Sequence, residues 1–232
     1  MIAIRPPEYF PRSVYMSLMQ HADHFVLADT FQYSRQSFQN RSKLRNTNGW
    51  QWITVSLKGY AYGDPIRTVT VDNDDRWKEK HWRAFMYNYR STMYFEFYED
   101  RFRPVFDEDD QEYLGALTCR TVEIQADLMD IDTTITRASE LPGEPDTIGA
   151  VLDALDVPDA PLLCGQDTVE IDARTDRETR VLDFDLEPYH QNFEGFAPGM
   201  SAMDFLFNYG PDAALRIADA GSVAVFDPDA DE

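Results

Sequence analysis

The chain has 232 residues, 43% of them hydrophobic, with 15 Phe, 12 Tyr and 4 Trp, enough apolar material for one substantial core and too much for a disordered chain. Its 42 acidic residues outweigh 21 basic ones, and the net charge of −21 argues against a long polyanion such as nucleic acid as the main partner. Cys119 and Cys164 are too few for a disulfide framework, and no run of residues is long and apolar enough to predict a membrane span.

Residues 2–5 read as a short buried strand. Pro6, Pro7 and Pro11 then stiffen a loop, because proline fixes φ and removes a donor. Val14, Leu18 and His21/Ala22 fall at helical spacing within residues 12–22, and residues 24–28 form a second short strand ended by Asp29. This strand–loop–helix–strand unit predicts a compact βαβ opening. Residues 50–57 and 66–71 read as strands. Asn73-Asp74-Asp75 supplies capping chemistry for a helix that carries Trp77, His81, Phe85 and Tyr89 on one face. Residues 111–129 form a further amphipathic helix. A strand is expected at 133–141, a helix at 146–155, a strand at 161–164, a weak helix at 168–174 and a strand at 181–186. Two short helices follow at 201–209 and 212–219. Strands alternating with helices predict a three-layer α/β domain with a mainly parallel, Rossmann-like sheet and flanking helices. One domain is expected over residues 1–226, with a frayed acidic tail at 227–232.

The acids are 28 Asp and 14 Glu, and the bases are 17 Arg and only 4 Lys. Such a surface suits concentrated salt, where the Debye length falls to about 3 Å at 1 M and self-repulsion is screened. One stretch breaks the pattern. Between Asp29 and Asp64 there is no acidic residue over 34 positions, where simple proportion gives about six. The same stretch holds Arg35, Arg41, Lys43, Arg45 and Lys58. A site for an anionic ligand excludes carboxylates, and arginine offers bidentate bonds to phosphate or carboxylate. The alternative is a buried hairpin whose bases pair with acids elsewhere.

Three patterns stand out in order along the chain. The first is Pro7-Glu8-Tyr9-Phe10-Pro11, followed by Tyr15. The second is Asp29-x-x-Gln32, then Asn40-Arg41. The third is Trp77-x-x-Lys80-His81, with Tyr189-x-Gln191, Phe196-x-Pro198, Ser201, Asp204-x-Leu206-Phe207-Asn208 and Gly210 downstream. Together they resemble the WbqC-like protein family over roughly residues 2–215. The family's opening Gln, Asn, Trp and Gly fall here at Pro6, Glu8, Arg12 and Val14, so the first motif departs from the pattern. The resemblance implies surface-polysaccharide (O-antigen-type) biosynthesis, with transfer of glycine or a similar amine onto a sugar carboxylate as a suggested role.

On this reading Asp29 and His81 are the candidate proton-transfer residues. Tyr9, Gln32, Arg35, Asn40, Arg41, Gln191 and Asn208 are candidates for binding an anionic sugar, nucleotide sugar or phosphate. Each has a plainer alternative. His81 shares a helical face with Trp77 and Phe85 and suits a core edge. Asp29 suits a turn or cap, and Tyr9 suits packing. Ser201 and Asp204 fit a helix cap with its capping-box acid. Cys119 suits the core, and no third group supports Cys164 as a nucleophile. The histidines His21, His24, His81 and His190 form no metal set, there is no phosphate-binding glycine loop, and the cofactor is left unknown. The opening residues lack the apolar run of a signal peptide, so a cytoplasmic location is expected. An enzyme is the favoured reading. A non-catalytic binding module or glycosyltransferase partner is the main rival, and a nucleic-acid-binding protein is the third.

Overall fold

The computed structural model describes residues 1–60, 62–107, 112–157, 159–166, 168 and 177–227. Its centre is a six-stranded sheet built from β1 (Ile2–Arg5), β2 (His24–Leu27), β7 (Thr134–Arg137), β8 (Leu162–Gly165), β9 (Thr179–Phe184) and β10 (Gly221–Val225). The spatial order is β10-β9-β8-β1-β2-β7. All neighbours run parallel except β10, which returns antiparallel along β9.

The strands are apolar on both faces because helices cover both faces. In β1, Ile2 and Ile4 point to one side with Val26, Leu162 and Cys164, against α6 (Ile148–Leu155). Ala3, Phe25, Leu27 and Leu163 point to the other side and join the larger core. That core also takes Met16 and Met19 of α1 (Ser13–Gln20), and Phe85 and Tyr89 of α2 (Trp77–Tyr89). Phe95 and Phe102 of α3 (Phe95–Phe102) and Val105 and Phe106 of α4 (Pro104–Asp107) extend it. Leu117 and Val122 of α5 (Leu114–Leu128), Phe207 of α7 (Met203–Tyr209) and Ile217 of α8 (Asp212–Asp219) close it. The result is a three-layer α/β fold. Among the described residues no helix is long and apolar enough to cross a membrane.

Two small antiparallel pairs decorate this frame. The hairpin β3 (Arg41–Asn46) and β4 (Gly49–Thr54) pairs Lys43 with Trp52 and Arg45 with Trp50. The pair β5 (Leu57–Gly59) and β6 (Thr70–Val71) follows.

Several expectations are corrected in detail. The run 66–71 is not one strand. It is a single 3-10 turn at Ile66–Thr68 followed by β6. This turn packs closely on α5, since a Cβ at Gly115 would lie 2.6 Å from the Cα of Arg67. The strand expected at 50–57 breaks after Thr54 into β4 and β5, and that at 133–141 turns into a 3-10 helix at Ala138–Glu140. Strands β3 and β10 and helices α3 and α4 had no counterpart in the sequence reading. The helix expected at 168–174 lies outside the described residues beyond Thr168, and so does the tail beyond Asp227.

Candidate functional site

The strand order reverses at β1. The chain leaves it toward β2 on one side and reaches β8 on the other, and in open α/β sheets ligands bind outside the carboxyl ends of the strands that flank such a point. Those ends are Arg5 and Gly165. Arg5 donates to the Thr168 hydroxyl, just past β8. A cavity of about 330 Å³ opens here, lined by Arg5, Pro6, Glu8, Arg12, Tyr15 and residues 36–39.

Local sequence builds its walls. The proline-stiffened loop holds Phe10 at φ 46°, a left-handed conformation that a bulky residue adopts only when its surroundings fix it. Two hydrogen bonds and a ring cluster do so. The Phe10 N–H donates to Thr121, its carbonyl accepts from Ser42, and its ring stacks on Phe106 at 5.8 Å. The turn brings Glu8 back over Arg12. The Arg12 guanidinium grips the Glu8 carboxylate at 2.6 Å and lies 4.0 Å from the Phe38 ring centroid. Helix α1 begins at Ser13, so the positive end of its dipole lies at the cavity rim.

Tyr15 is the telling residue. It is 96% buried, it lines the cavity, and its hydroxyl finds no hydrogen-bond partner. Burial, then the Glu8 carboxylate, pushes its pKa up, so the phenol stays protonated and able to donate. A buried hydroxyl left without a partner costs about 1–3 kcal/mol. In a cavity between two guanidinium groups, an anion would remove that cost.

The residues singled out from sequence are not gathered in one place. Asp29 ends β2, and its two carboxylate oxygens accept from the Ser139 N–H at 2.9 Å and the Ser139 hydroxyl at 2.6 Å. It closes the turn after β7. His81 is buried against Trp77, its Nδ1 lies 3.0 Å from the Tyr9 hydroxyl, and its ring also bonds the Thr54 backbone. Burial lowers its pKa to about 4, so the ring is neutral at pH 7. Tyr9 is wholly buried beside it. Asn40 pairs with Val55 through backbone and side chain. Gln191 accepts from the Ala197 N–H and donates to the Ala197 carbonyl, which pins the loop between them. Asn208 bonds back to the Asp204 carbonyl within its own helix. Gln32 and Arg35 line a separate, larger cavity of about 680 Å³ with Tyr33, Tyr60 and Tyr62.

The bases of the acid-free stretch are likewise dispersed: Lys58 pairs with Asp74, and the others meet carbonyls and rings. Arg41 donates to the Gln36 and Ser37 carbonyls and lies 4.1 Å from the Trp52 centroid. It props the cavity wall from behind. Arg45 is 98% buried and donates to the carbonyls of Asn46, Gly49 and Glu194. The alternative of a hairpin therefore has the right architecture, and its expected acid partner is found for Lys58 but not for Arg41, Lys43 or Arg45.

Downstream, Asp204 is fully buried. Its carboxylate accepts from the Tyr189 hydroxyl at 2.6 Å and the Gln191 amide at 3.0 Å. It is not the capping-box acid of its helix, whose N-cap is Ala202, and Ser201, one residue earlier, accepts from the Met203 N–H. Cys119 and Cys164 are buried, and Cys119 is held in the thiol form by burial. Among the described residues no three His, Cys, Asp or Glu side chains could hold a metal ion.

The sequence reading did not list Arg5, Arg12 and Tyr15, which line this recess, among its candidate residues. A signal for Arg5 was present, since the end of the first strand of a βαβ unit is where such folds bind ligands.

The fold and the cavity define a class: an α/β protein with a cationic recess at the reversal of its sheet. Comparison narrows this. A model of the WbqC-like protein family matches residues 6–216, and the chain belongs to that family. It is also similar to a protein described as "Uncharacterized protein Rv1507c" from Mycobacterium tuberculosis (strain ATCC 25618 / H37Rv). The two are 27% identical over 226 residues, covering 91% of this chain and 95% of that protein. No solved structure matches the chain.

Proposed function

We propose that this protein is a transferase of surface-polysaccharide biosynthesis, working in a salt-rich cytoplasm on an anionic sugar or nucleotide sugar and moving a small group, such as an aminoacyl unit, onto it. The observation that carries the reading is the meeting of Arg5, Arg12 and the unpartnered Tyr15 hydroxyl in one recess at the sheet's reversal. Guanidinium groups suit phosphate or carboxylate, and a phenol that stays protonated donates without repelling either. Family membership suggests the glycan setting.

Proton transfer is assigned to Glu8 in place of Asp29 or His81. Asp29 and His81 do not line the recess, and they are bonded to Ser139, Tyr9 and Thr54. The Glu8 carboxylate, held by Arg12 at 2.6 Å, does line it, where an incoming hydroxyl or amine can lose a proton to it. The departure of the first motif from its family pattern fits this, since it places both Glu8 and Arg12 in the recess.

Thermal shift in high salt with UDP-glucuronate, UDP-glucose and inorganic phosphate tests the reading. An anionic ligand is expected to raise Tm, and Arg5→Ala to weaken binding by on the order of tenfold or more. Glu8→Gln is expected to keep binding and lose turnover, which separates an enzyme from a binding module. A wild-type protein that responds to none of the three, or an Arg5→Ala variant that responds fully, sinks the proposal.

A further inference from the structure

The outer face of the β3–β4 hairpin carries Arg41, Lys43 and Arg45 at alternate positions of one strand, with Trp52 opposite Lys43 and Trp50 opposite Arg45. The inner face buries Ser42, Leu44 and Ile53. The three cations meet different fates. Arg45 is enclosed by carbonyls, and Arg41 is held by the Gln36 and Ser37 carbonyls. The Lys43 ammonium has neither hydrogen bond nor ion pair among the described residues. It lies 4.4 Å from the Trp50 centroid and 5.4 Å from that of Trp52. Several other surface cations take acids, as Lys80 takes Asp75, Arg103 takes Asp107 and Arg137 takes Glu123, while Arg35 and Arg216 rest on the Tyr60 and Tyr209 rings.

This ammonium sits among like charges. Partial burial, then Arg12, then Arg41, all lower the Lys43 pKa, so three positive charges crowd one another. In a chain with 42 carboxylates, a single acidic side chain here would relieve the crowding, and none is present between Asp29 and Asp64. Of the two indoles beside it, Trp50 is the open one, since the Arg41 guanidinium lies 4.1 Å from the Trp52 centroid. Trp50 is 42% exposed and Trp52 is half-buried, with their centroids 5.4 Å apart. Trp52 continues to Phe38 at 5.4 Å, and Phe38 carries Arg12 at the wall of the recess.

We infer that this face is an acceptor subsite for an acidic glycan, with a pyranose ring laid on the exposed Trp50 indole, the Trp52 ring standing at 84° to it as a side wall, and its carboxylate on the Lys43 ammonium. A pyranose has an apolar C–H face that leaves water on an indole, while its rim hydroxyls stay hydrated. A nucleic acid offers bases for the same rings, yet it carries a phosphate at every nucleotide and needs a track of cations. This face offers one open ammonium on a molecule of charge −21. One carboxylate per bound sugar matches it. The inference rests on the glycan reading for the identity of the acceptor and adds the place where that acceptor lies.

Isothermal titration calorimetry of the protein with trigalacturonate, maltotriose and an oligothymidylate tests it. Trigalacturonate is expected to bind, and maltotriose to bind on the order of tenfold more weakly or not at all. Trp50→Ala and Lys43→Gln, both at surface positions, are each expected to weaken trigalacturonate by a similar factor, with far-UV circular dichroism confirming the fold. Trp50→Ala should leave the nucleotide-sugar response unchanged, and Arg5→Ala should leave trigalacturonate unchanged, so the two sites fail or survive separately. Absence of trigalacturonate binding, equal binding of maltotriose, tighter binding of the oligothymidylate, or unaltered affinity in both Trp50→Ala and Lys43→Gln would overturn it.

Discussion

His81 and Asp204 titrate in opposite directions inside the same core. Burial lowers His81 to about 4 and raises Asp204 to about 6. In the unfolded chain these groups return to about 6.5 and about 3.9. Between pH 4 and 6.5 the unfolded chain binds a proton at His81 that the folded chain refuses, so His81 makes stability rise with pH. Between pH 4 and 6 the folded chain keeps a proton on Asp204 that the unfolded chain has lost, so Asp204 makes stability fall. Each effect is on the order of 3 kcal/mol across its window, and they offset. Asp204→Asn is expected to leave a stability that climbs more steeply than wild type from pH 4 to 6.5, and His81→Gln one that declines relative to wild type. Urea unfolding at pH 4, 5, 6 and 7 reads both slopes; parallel curves for all three proteins would refute the account. The buried state of His81 was legible, because Trp77, His81 and Phe85 share one helical face. That Asp29 binds Ser139, 110 residues away, was not, since no local pattern points to so distant a partner.

The β3–β4 hairpin depends on a single side chain at the element scale. Arg45 ties the turn carbonyls of Asn46 and Gly49 to the Glu194 carbonyl of the 191–197 loop. A guanidinium can serve all of them because its donors fan out in a plane, whereas an ammonium cannot match that geometry. Arg45→Lys is expected to destabilise the protein by about 2–3 kcal/mol, since charge-assisted hydrogen bonds of this kind are lost. It should also speed amide exchange at Ala197, whose N–H is held by Gln191. Unchanged exchange there would show that the clamp is not at Arg45. Strand β3 escaped the sequence reading because Arg-Ser-Lys-Leu-Arg-Asn puts cations where an amphipathic strand usually shows neutral polar residues, and reads as loop. The run 66–71 misled in the other direction: its β-branched residues suggested a strand, but packing on α5 curls Ile66–Thr68 into a turn. The opening β1–α1–β2 unit was readable because proline, helical spacing and a terminal Asp delimit it within 28 residues.

Charge acts on the molecule as a whole. Most of its ion pairs lie at the surface and contribute little individually. The net charge of −21 opposes compaction over a Debye length of about 10 Å at 0.1 M salt, and over about 3 Å at 1 M. Tm is expected to rise by several degrees as KCl goes from 0.1 M to 2 M at pH 7; a flat or falling Tm by differential scanning calorimetry would remove the case for salt adaptation. The parallel sheet was predictable from alternating strands and helices, but its order was not, because nothing local tells β8 to add beside β1. That order has a consequence for synthesis. Ile2 pairs with His24 on one side and with Leu162 on the other. A nascent chain leaving the ribosome can zip the first side almost at once. The second edge stays bare until residue 162 has emerged, which exposes an unpaired apolar strand for most of translation and makes it the natural place for a chaperone to hold.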